Sequence, residues 1–411
     1  MDLPLNDTEP MIMHIDLNSC YAILEQQANR LLRGKPVGIA AYDSPRGFIL
    51  AASYEAKRLG IHMMRVAEAR AIYPNIIILT PDPEKYFDAH RRFKEVLLRY
   101  TSSVTPKSID EFVLDFTGSL AVQQGRSLVD IGYQIKQDIA EALGEYVTVN
   151  VGIGPNRFLA KVAAGLNKPD GLDVIRAADI HAVYGQLQLM DLPGINRRYK
   201  ARLNLAHIFT PLDLLEAPLQ QLKHSVFHSI VGYYWYLRLR GYEIDSAVFA
   251  MRSLGNQYAV GQKTSDRTEI ARLLMKLAEK TGRRLRRHDT QAYGIHLGMA
   301  FENNQWWGKS RRVHAPIYAT QDIYYHLMQL LQLVDIPARV RSLNITVFNL
   351  QPATPVQLGL FDGTRHDAQS LARAADAVNN RYGEFTLVPA TMANMQDIII
   401  KRVPFGSVWD I

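Results

Sequence analysis

Apolar residues recur along this chain with two different periods, and the elements follow from where one period gives way to the other. MIMHIDL (11–17) is apolar except at His14 and Asp16 and reads as a buried strand. NSCYAILEQQANRLL follows with helical spacing that places Tyr21, Leu24 and Ala28 on one face. PVGIAAY and FILAASYEAKRLGI predict a small β unit running into a helix, with DSPRG as the turn between them. DPEKYFDAHRRFKEVLLRYT predicts an amphipathic helix beginning after Pro81–Pro83. SIDEFVLDF then reads as a strand, GRSLVDIGYQIKQDIAEALG as a helix and VTVNVGIG as a strand. NRFLAKVAAGLNK reads as a helix stopped by Pro169, and GLDVI as a further short strand.

Strands alternate with helices to about residue 178, which predicts an α/β domain. LPGINRRYKARLNLAHI, PLDLLEAPLQQLKHSV and SIVGYYWYLRLRG then read as helices, and a composition break at 244–252 predicts a linker. An α+β segment follows, with a long helix from about Ser265–Asp266, strands at AYGIHLGMAF and RSLNITVFNL, and a second helix over 321–333. QPATPV marks its end. DAQSLARAADAVNNRYGEFTLVPATM predicts an amphipathic helix and a short strand-like run. The expected fold class is thus α/β and α+β in several domains.

Composition narrows the class of protein. A chain of 411 residues suits two to four domains, and 47% hydrophobic with 21% charged residues is ordinary for a soluble globular protein. One cysteine excludes an internal disulfide. MDLPLNDTEP has neither a basic region nor an apolar core, so no secretory leader is expected. No apolar run approaches the roughly 18 residues of a membrane span, and a cytoplasmic protein is expected. Charge adds direction. Of a formal net +7, Met251–Asn344 carries 15 Lys/Arg against 7 Asp/Glu, an excess of +8 confined to one segment. Such a patch suits a phosphate backbone, although a solvated basic helix face, KTGRRLRRH, explains it equally.

The candidate chemistry lies in SIDEFVLDF. Adjacent strand residues face opposite ways, so Asp110 and Glu111 could share a ligand only at a strand end or hairpin tip; taken alone they also read as a polar turn. Asp16 closes the first strand just as these two open a later one. If the strands are neighbours, three carboxylates converge, and like charges about 4 Å apart repel by roughly 4 kcal/mol at an effective dielectric of 20. Such a cluster binds cations or protons. Oxygen ligands suit Mg²⁺, and two ions about 4 Å apart serve phosphoryl transfer. No CxxC or HExxH pattern offers a competing site.

HIDLNSCYAILE, ILAASYEAKRLGI, SIDEFVLDF, VGIGPNRFLAKVAAGLNKPDGL and DLPGI, in that order, resemble the Y-family DNA polymerases of the DinB/UmuC type over residues 11–361. The resemblance implies a right-hand polymerase: palm at 1–19 and 82–178, fingers at 20–81, helical thumb at 179–246, a linker at 247–252 and a little finger at 253–352. It implies that Asp16 and Asp110 bind two Mg²⁺, or Mn²⁺ as a substitute, with the Leu17 carbonyl, and that Glu111 is the catalytic glutamate beside them. Tyr21 corresponds to the sugar steric gate. Cys20, Tyr54, Lys57 and Lys168 correspond to positions around the nucleotide triphosphate, and Phe48 and Leu50 to the templating-base pocket. LPGI resembles a helix-hairpin-helix in which Leu192, Gly194 and Ile195 meet a DNA phosphate. QLGLF is similar to a sliding-clamp peptide, with Gln357, Leu358, Leu360 and Phe361 as contacts in a linker at 353–362. Partners implied are primer-template DNA, deoxynucleoside triphosphates and the bacterial sliding clamp, for a monomer associated with the nucleoid when on DNA. Low fidelity without proofreading is implied too.

The chain also departs from the pattern. Asn18, Ser19 and Cys20 replace a more usual acidic and aromatic run. The first of these and Lys57 are similar to the UmuC-like branch, while Tyr54 is similar to the polymerase IV branch. Phe48 and Leu50 are bulky where smaller residues often stand, which predicts poor bypass of very large minor-groove adducts. The tail at 363–411 has an open role. Nucleotide cyclases share a carboxylate-bearing palm but predict no basic C-terminal domain. A catalytically dead DNA-binding scaffold predicts lost carboxylates, and all three are present.

Overall fold

A computed structural model describes residues 3–247, 250–353, 363–393 and 395. The chain separates into two compact units at Ala247/Val248.

In the first unit, β1 (Ile12–Leu17) is buried on both faces, with only Asp16 partly exposed. Met13, Ile15 and Leu17 are sealed into a core with Tyr86 and Phe93 of helix Pro83–Leu97 and with Ile131, Ile135 and Ile139 of helix Leu128–Leu143. Ile12, His14 and Asp16 face the other way. The next three strands, β2 (Val37–Ala40), β3 (Ile49–Ala52) and β4 (Ile77–Leu79), form a small sheet in the order β3-β2-β4 over a separate core of Ile49, Ile61 and Val66. With β5 (Val104–Pro106), β6 (Glu111–Asp115), β7 (Val149–Gly154) and β8 (Leu172–Val174), β1 builds a sheet in the order β5-β6-β1-β7-β8. Alternating strands and helices carry no strand direction by themselves. Here β1 runs antiparallel to both β6 and β7, and only β7–β8 is parallel.

Two glycines set how closely the next helix approaches. A Cβ on Gly152 would stand 2.1 Å from the Ala160 carbonyl oxygen and 2.1 Å from the Ala164 nitrogen. On Gly154 it would stand 2.6 Å from the Ala160 nitrogen. Helix Arg157–Leu166 therefore lies directly on the backbone of β7, capped by the Asn156 side chain, which accepts from the Leu159 amide at 2.7 Å.

Two expectations for the helices change. Helix Cys20–Ala28 buries every residue from Cys20 to Gln26 and leaves Ala28 exposed, so it is enclosed all round rather than amphipathic through Tyr21, Leu24 and Ala28. The stretch 211–226 is not one helix. Pro211–Glu216 ends before Pro218, because Pro218 has no amide to continue the ladder, and a short helical turn at Leu219–Gln221 then runs into a wider-turned segment at Leu222–Val226. These pieces pack with helices Arg197–Leu205 and Val231–Leu239 around Leu203, Leu214, Leu222 and Trp235.

The second unit is a four-stranded antiparallel sheet in the order β11-β10-β12-β9, from β9 (Ser253–Thr264), β10 (Thr290–Phe301), β11 (Trp306–Ile317) and β12 (Val340–Pro352). Helices Arg267–Arg287 and Thr320–Leu331 share its core. Helix Gly363–Tyr382 belongs to this unit. Asp376 accepts from Arg286 Nε at 2.5 Å and Nη2 at 2.9 Å, with Arg283 Nε 3.7 Å away. The strand-like run expected after it is instead a turn region with a short 3₁₀ helix at Ala390–Met392. Arg283 and Arg286, read as part of a solvated or phosphate-binding face, are buried against this helix. Among the described residues no helix is long and apolar enough to cross a membrane. The expected clamp peptide Gln357, Leu358, Leu360 and Phe361 lies outside the described residues.

Candidate active site

Antiparallel pairing sets Asp16 of β1 directly opposite Glu111 of β6, so both side chains leave the same face of the sheet. Asp110 precedes β6, where the strand alternation no longer binds it, and its carbonyl accepts from the Leu17 amide at 2.9 Å. Ser108 Oγ donates to Asp110 Oδ1 at 2.5 Å. Two lysines balance the acids. Lys161, on the helix seated on β7, donates to Glu111 Oε2 at 2.6 Å, and Lys168 donates to Asp16 Oδ1 at 2.7 Å.

Burial is the largest influence on all three acids. It pushes Asp16 up to about 6, Lys168 opposing and the Glu111 and Asp110 charges adding to the rise. Asp110 is raised by burial against the Ser108 hydrogen bond. Glu111 goes the other way: burial would raise it, but Lys161 and further partners hold it below the usual range. Buried carboxyls raised above their ordinary range beside a third acid mark a place where positive charge is in demand.

A stability prediction follows from Asp16. Its folded pKa lies above its unfolded value, so the native state holds the extra proton and stability falls as pH rises from about 4 to about 6. A divalent cation bound at Asp16 would take the place of that proton. Millimolar Mg²⁺ should therefore raise the melting temperature more at about pH 7.5 than at about pH 5. Equal shifts in a thermal melt at the two pH values would count against a cation at Asp16.

Asp16, Leu17, Cys20, Tyr21, Leu50, Tyr54, Lys57, Asp110 and Lys168 together line one cavity of about 560 Å³. Glu111 opens on an adjoining one of about 680 Å³, which Asp16 and Lys168 also line. Tyr21 is 4% exposed and stacks on Tyr86, with ring centroids 4.6 Å apart. Ser19 also lines this cavity, and Asn18 and Ser19 anchor two of its residues. Tyr54 Oη donates to Asn18 Oδ1 at 3.2 Å, and Lys57 Nζ donates to Ser19 Oγ at 2.6 Å while lying 4.6 Å from the Tyr54 ring centre. Phe48 stands apart from Leu50: it is 45% exposed and is not among the cavity walls.

In the turn at 192–195, Gly194 adopts φ +97°, a conformation that favours glycine. The Leu192 and Ile195 side chains are buried, and the Ile195 amide donates back to the Leu192 carbonyl at 3.0 Å. The Asn196 side chain accepts from the Arg198 and Tyr199 amides, so much of this turn's donor capacity is used internally.

Sequence reasoning missed Lys161 and His14. The signal for His14 was present, because a residue two before Asp16 on a strand shares its face. For Lys161 there was none, since its reach to Glu111 depends on how closely a helix lies on two glycines.

Comparison with known proteins identifies the family. Residues 15–165 match the impB/mucB/samB family, and residues 251–360 match the impB/mucB/samB family C-terminal domain. DNA polymerase IV of Pelotomaculum thermopropionicum is 31% identical over 95% of this chain and 97% of its own length. DNA polymerase IV of Moorella thermoacetica is 32% identical over 91% and 94%. That of Staphylococcus saprophyticus is 30% identical over 86% and 99%. In fold, the chain is similar to a chimeric Y-family DNA polymerase built from Dbh and Dpo4, with a TM-score of 0.72 at 24% identity over 83% of this chain and 99% of that one. An insertion ternary complex of Dbh DNA polymerase aligns over the same shares at a TM-score of 0.58.

Proposed function

The chain belongs to the impB/mucB/samB family of Y-family DNA polymerases and is a DNA-directed DNA polymerase, and from that premise we propose how its residues divide the work of translesion synthesis. Asp16, Asp110 and the Leu17 carbonyl hold two Mg²⁺ ions, with Glu111 completing the acidic set. Bound there, the ions would supply Lewis-acid chemistry, favouring ionisation of the primer 3′-hydroxyl and stabilising the charge on the pyrophosphate leaving group. The observation that carries this reading is the convergence of the three carboxylates, two from paired strands, on cavities that also hold Lys57, Tyr54 and Lys168. Their donors are all oxygen, which fits a hard divalent ion. With cations at Asp16, Lys168 would be released to the triphosphate, joined there by Lys57, Tyr54 and the backbone at Cys20.

Leu50 lies against the templating base, with Phe48 at the rim. Residues 1–19 and 82–178 act as palm, 20–81 as fingers, 179–246 as thumb and 253–352 as little finger. The Leu192–Ile195 turn meets a DNA phosphate, and residues 357–361 dock on the sliding clamp. The enzyme works as a cytoplasmic monomer of low fidelity without proofreading. Primer extension with Mg²⁺ on an undamaged template and on one carrying an abasic site tests this. Extension past the lesion is expected, and no synthesis on either template would remove the assignment.

Tyr21 stacks on Tyr86, so the ring cannot yield, and the gate rests on that rigidity. Tyr21→Ala should raise ribonucleotide insertion relative to deoxyribonucleotide insertion by about a hundredfold. Unchanged sugar selection in single-nucleotide insertion kinetics would rule the gate out.

A further inference from the structure

One side chain beside the carboxylates has no role in the nucleotidyl transfer described above. His14 leaves β1 on the same face as Asp16, is 2% exposed, and neither ring nitrogen has a hydrogen-bond partner. A buried polar nitrogen without a partner is costly to leave unpaired, so it calls for something to bind. Glu111 does not supply it: His14 Nε2 lies 3.8 Å from Glu111 Oε2, beyond hydrogen-bond reach. The ring lines the cavity of about 680 Å³ that Asp16 and Glu111 also line. One donor atom from each of His14, Asp16 and Glu111 falls within 4.8 Å of the other two.

We propose that His14 is a metal ligand, its ring nitrogen joining Asp16 and Glu111 to hold a divalent first-row transition ion. The inference rests on the reading of Asp16 and Glu111 as cation ligands and goes beyond it in the class of metal. Imidazole is a ligand of transition ions, whereas Mg²⁺ favours oxygen and keeps its waters. Lys161 and Lys168 do not block the site. Each engages one oxygen of its carboxylate, and their side chains are 38% and 35% exposed, free to swing aside. The pocket thus serves Mg²⁺ through oxygen alone and a transition ion through oxygen and nitrogen together.

The test uses the full-length protein and Mn²⁺ alone, read by electron spin-echo envelope modulation. Bound Mn²⁺ should show ¹⁴N modulation from a directly coordinated ring, replaced by the ¹⁵N pattern in ¹⁵N-labelled protein and lost in His14→Gln. By titration of the free-ion signal, His14→Gln should weaken Mn²⁺ binding about tenfold while leaving Mg²⁺ competition unchanged. Mn²⁺ bound to the wild type without nitrogen modulation overturns the His14 assignment and leaves the acidic pair standing. Failure to bind Mn²⁺ at all, or binding indifferent to Asp16→Asn and Glu111→Gln, overturns both. The wild-type spectrum decides the matter even if the variant folds poorly.

Discussion

Asp110→Asn is expected to abolish primer extension, lowering the rate by about a thousandfold or more, which corresponds to about 4 kcal/mol of transition-state stabilisation. The substitution keeps the side chain's shape and its Ser108 partner but removes the charge that would face both ions. Because Asp110 precedes β6 instead of sitting within it, the change leaves the β1–β6 pairing intact. DNA binding measured by fluorescence anisotropy should therefore stay close to wild type. Retained synthesis in the presence of Mg²⁺ would refute the metal assignment, and joint loss of binding and synthesis would point to misfolding instead.

Asp376→Ala is the second large effect, and it acts on stability. Asp376 meets Arg286, whose side chain is 4% exposed, through two hydrogen bonds, and Arg283, 8% exposed, approaches the same carboxylate. Removing the acid leaves buried guanidinium charge uncompensated, a loss of about 3–5 kcal/mol when one partner of a buried pair goes. Urea unfolding of the full chain should show an early transition in the second unit. A joint replacement, Asp376→Leu with Arg286→Met, should recover much of the loss, because apolar substitutes for a buried pair are often neutral. A midpoint shift worth less than about 1 kcal/mol for Asp376→Ala would show the contact to be incidental.

Asp16, Asp110 and Glu111 are legible in the amino-acid sequence because they sit at strand ends, where alternation and short apolar runs mark the boundary. Tyr21, Tyr54 and Lys57 are expected at the site from the family resemblance, and the structure brings all three to one cavity. What stays hidden depends on distant pairing. The strand Ser253–Thr264 is largely polar and has no apolar rhythm of its own; its partner strand defines it. Arg283 and Arg286 resemble solvent-facing charge because a charge count is blind to an aspartate about 90 positions later. Pro218 is plain to see, but the surrounding leucines mask the break it makes. Asn18 and Ser19 stand out only as departures from a family pattern. In place, they position the Tyr54 hydroxyl and the Lys57 ammonium.

Gly152 and Gly154 have no side chain to offer the reaction, yet they set the height from which the Lys161 ammonium hangs over Glu111. A methyl group at either position would lift the whole helix like a shim under a beam, and the ammonium with it. Glu111 would then lose the neighbour that keeps it ionised. Even the smallest substitution at either backbone position would therefore act at a distance on the charge of a carboxylate.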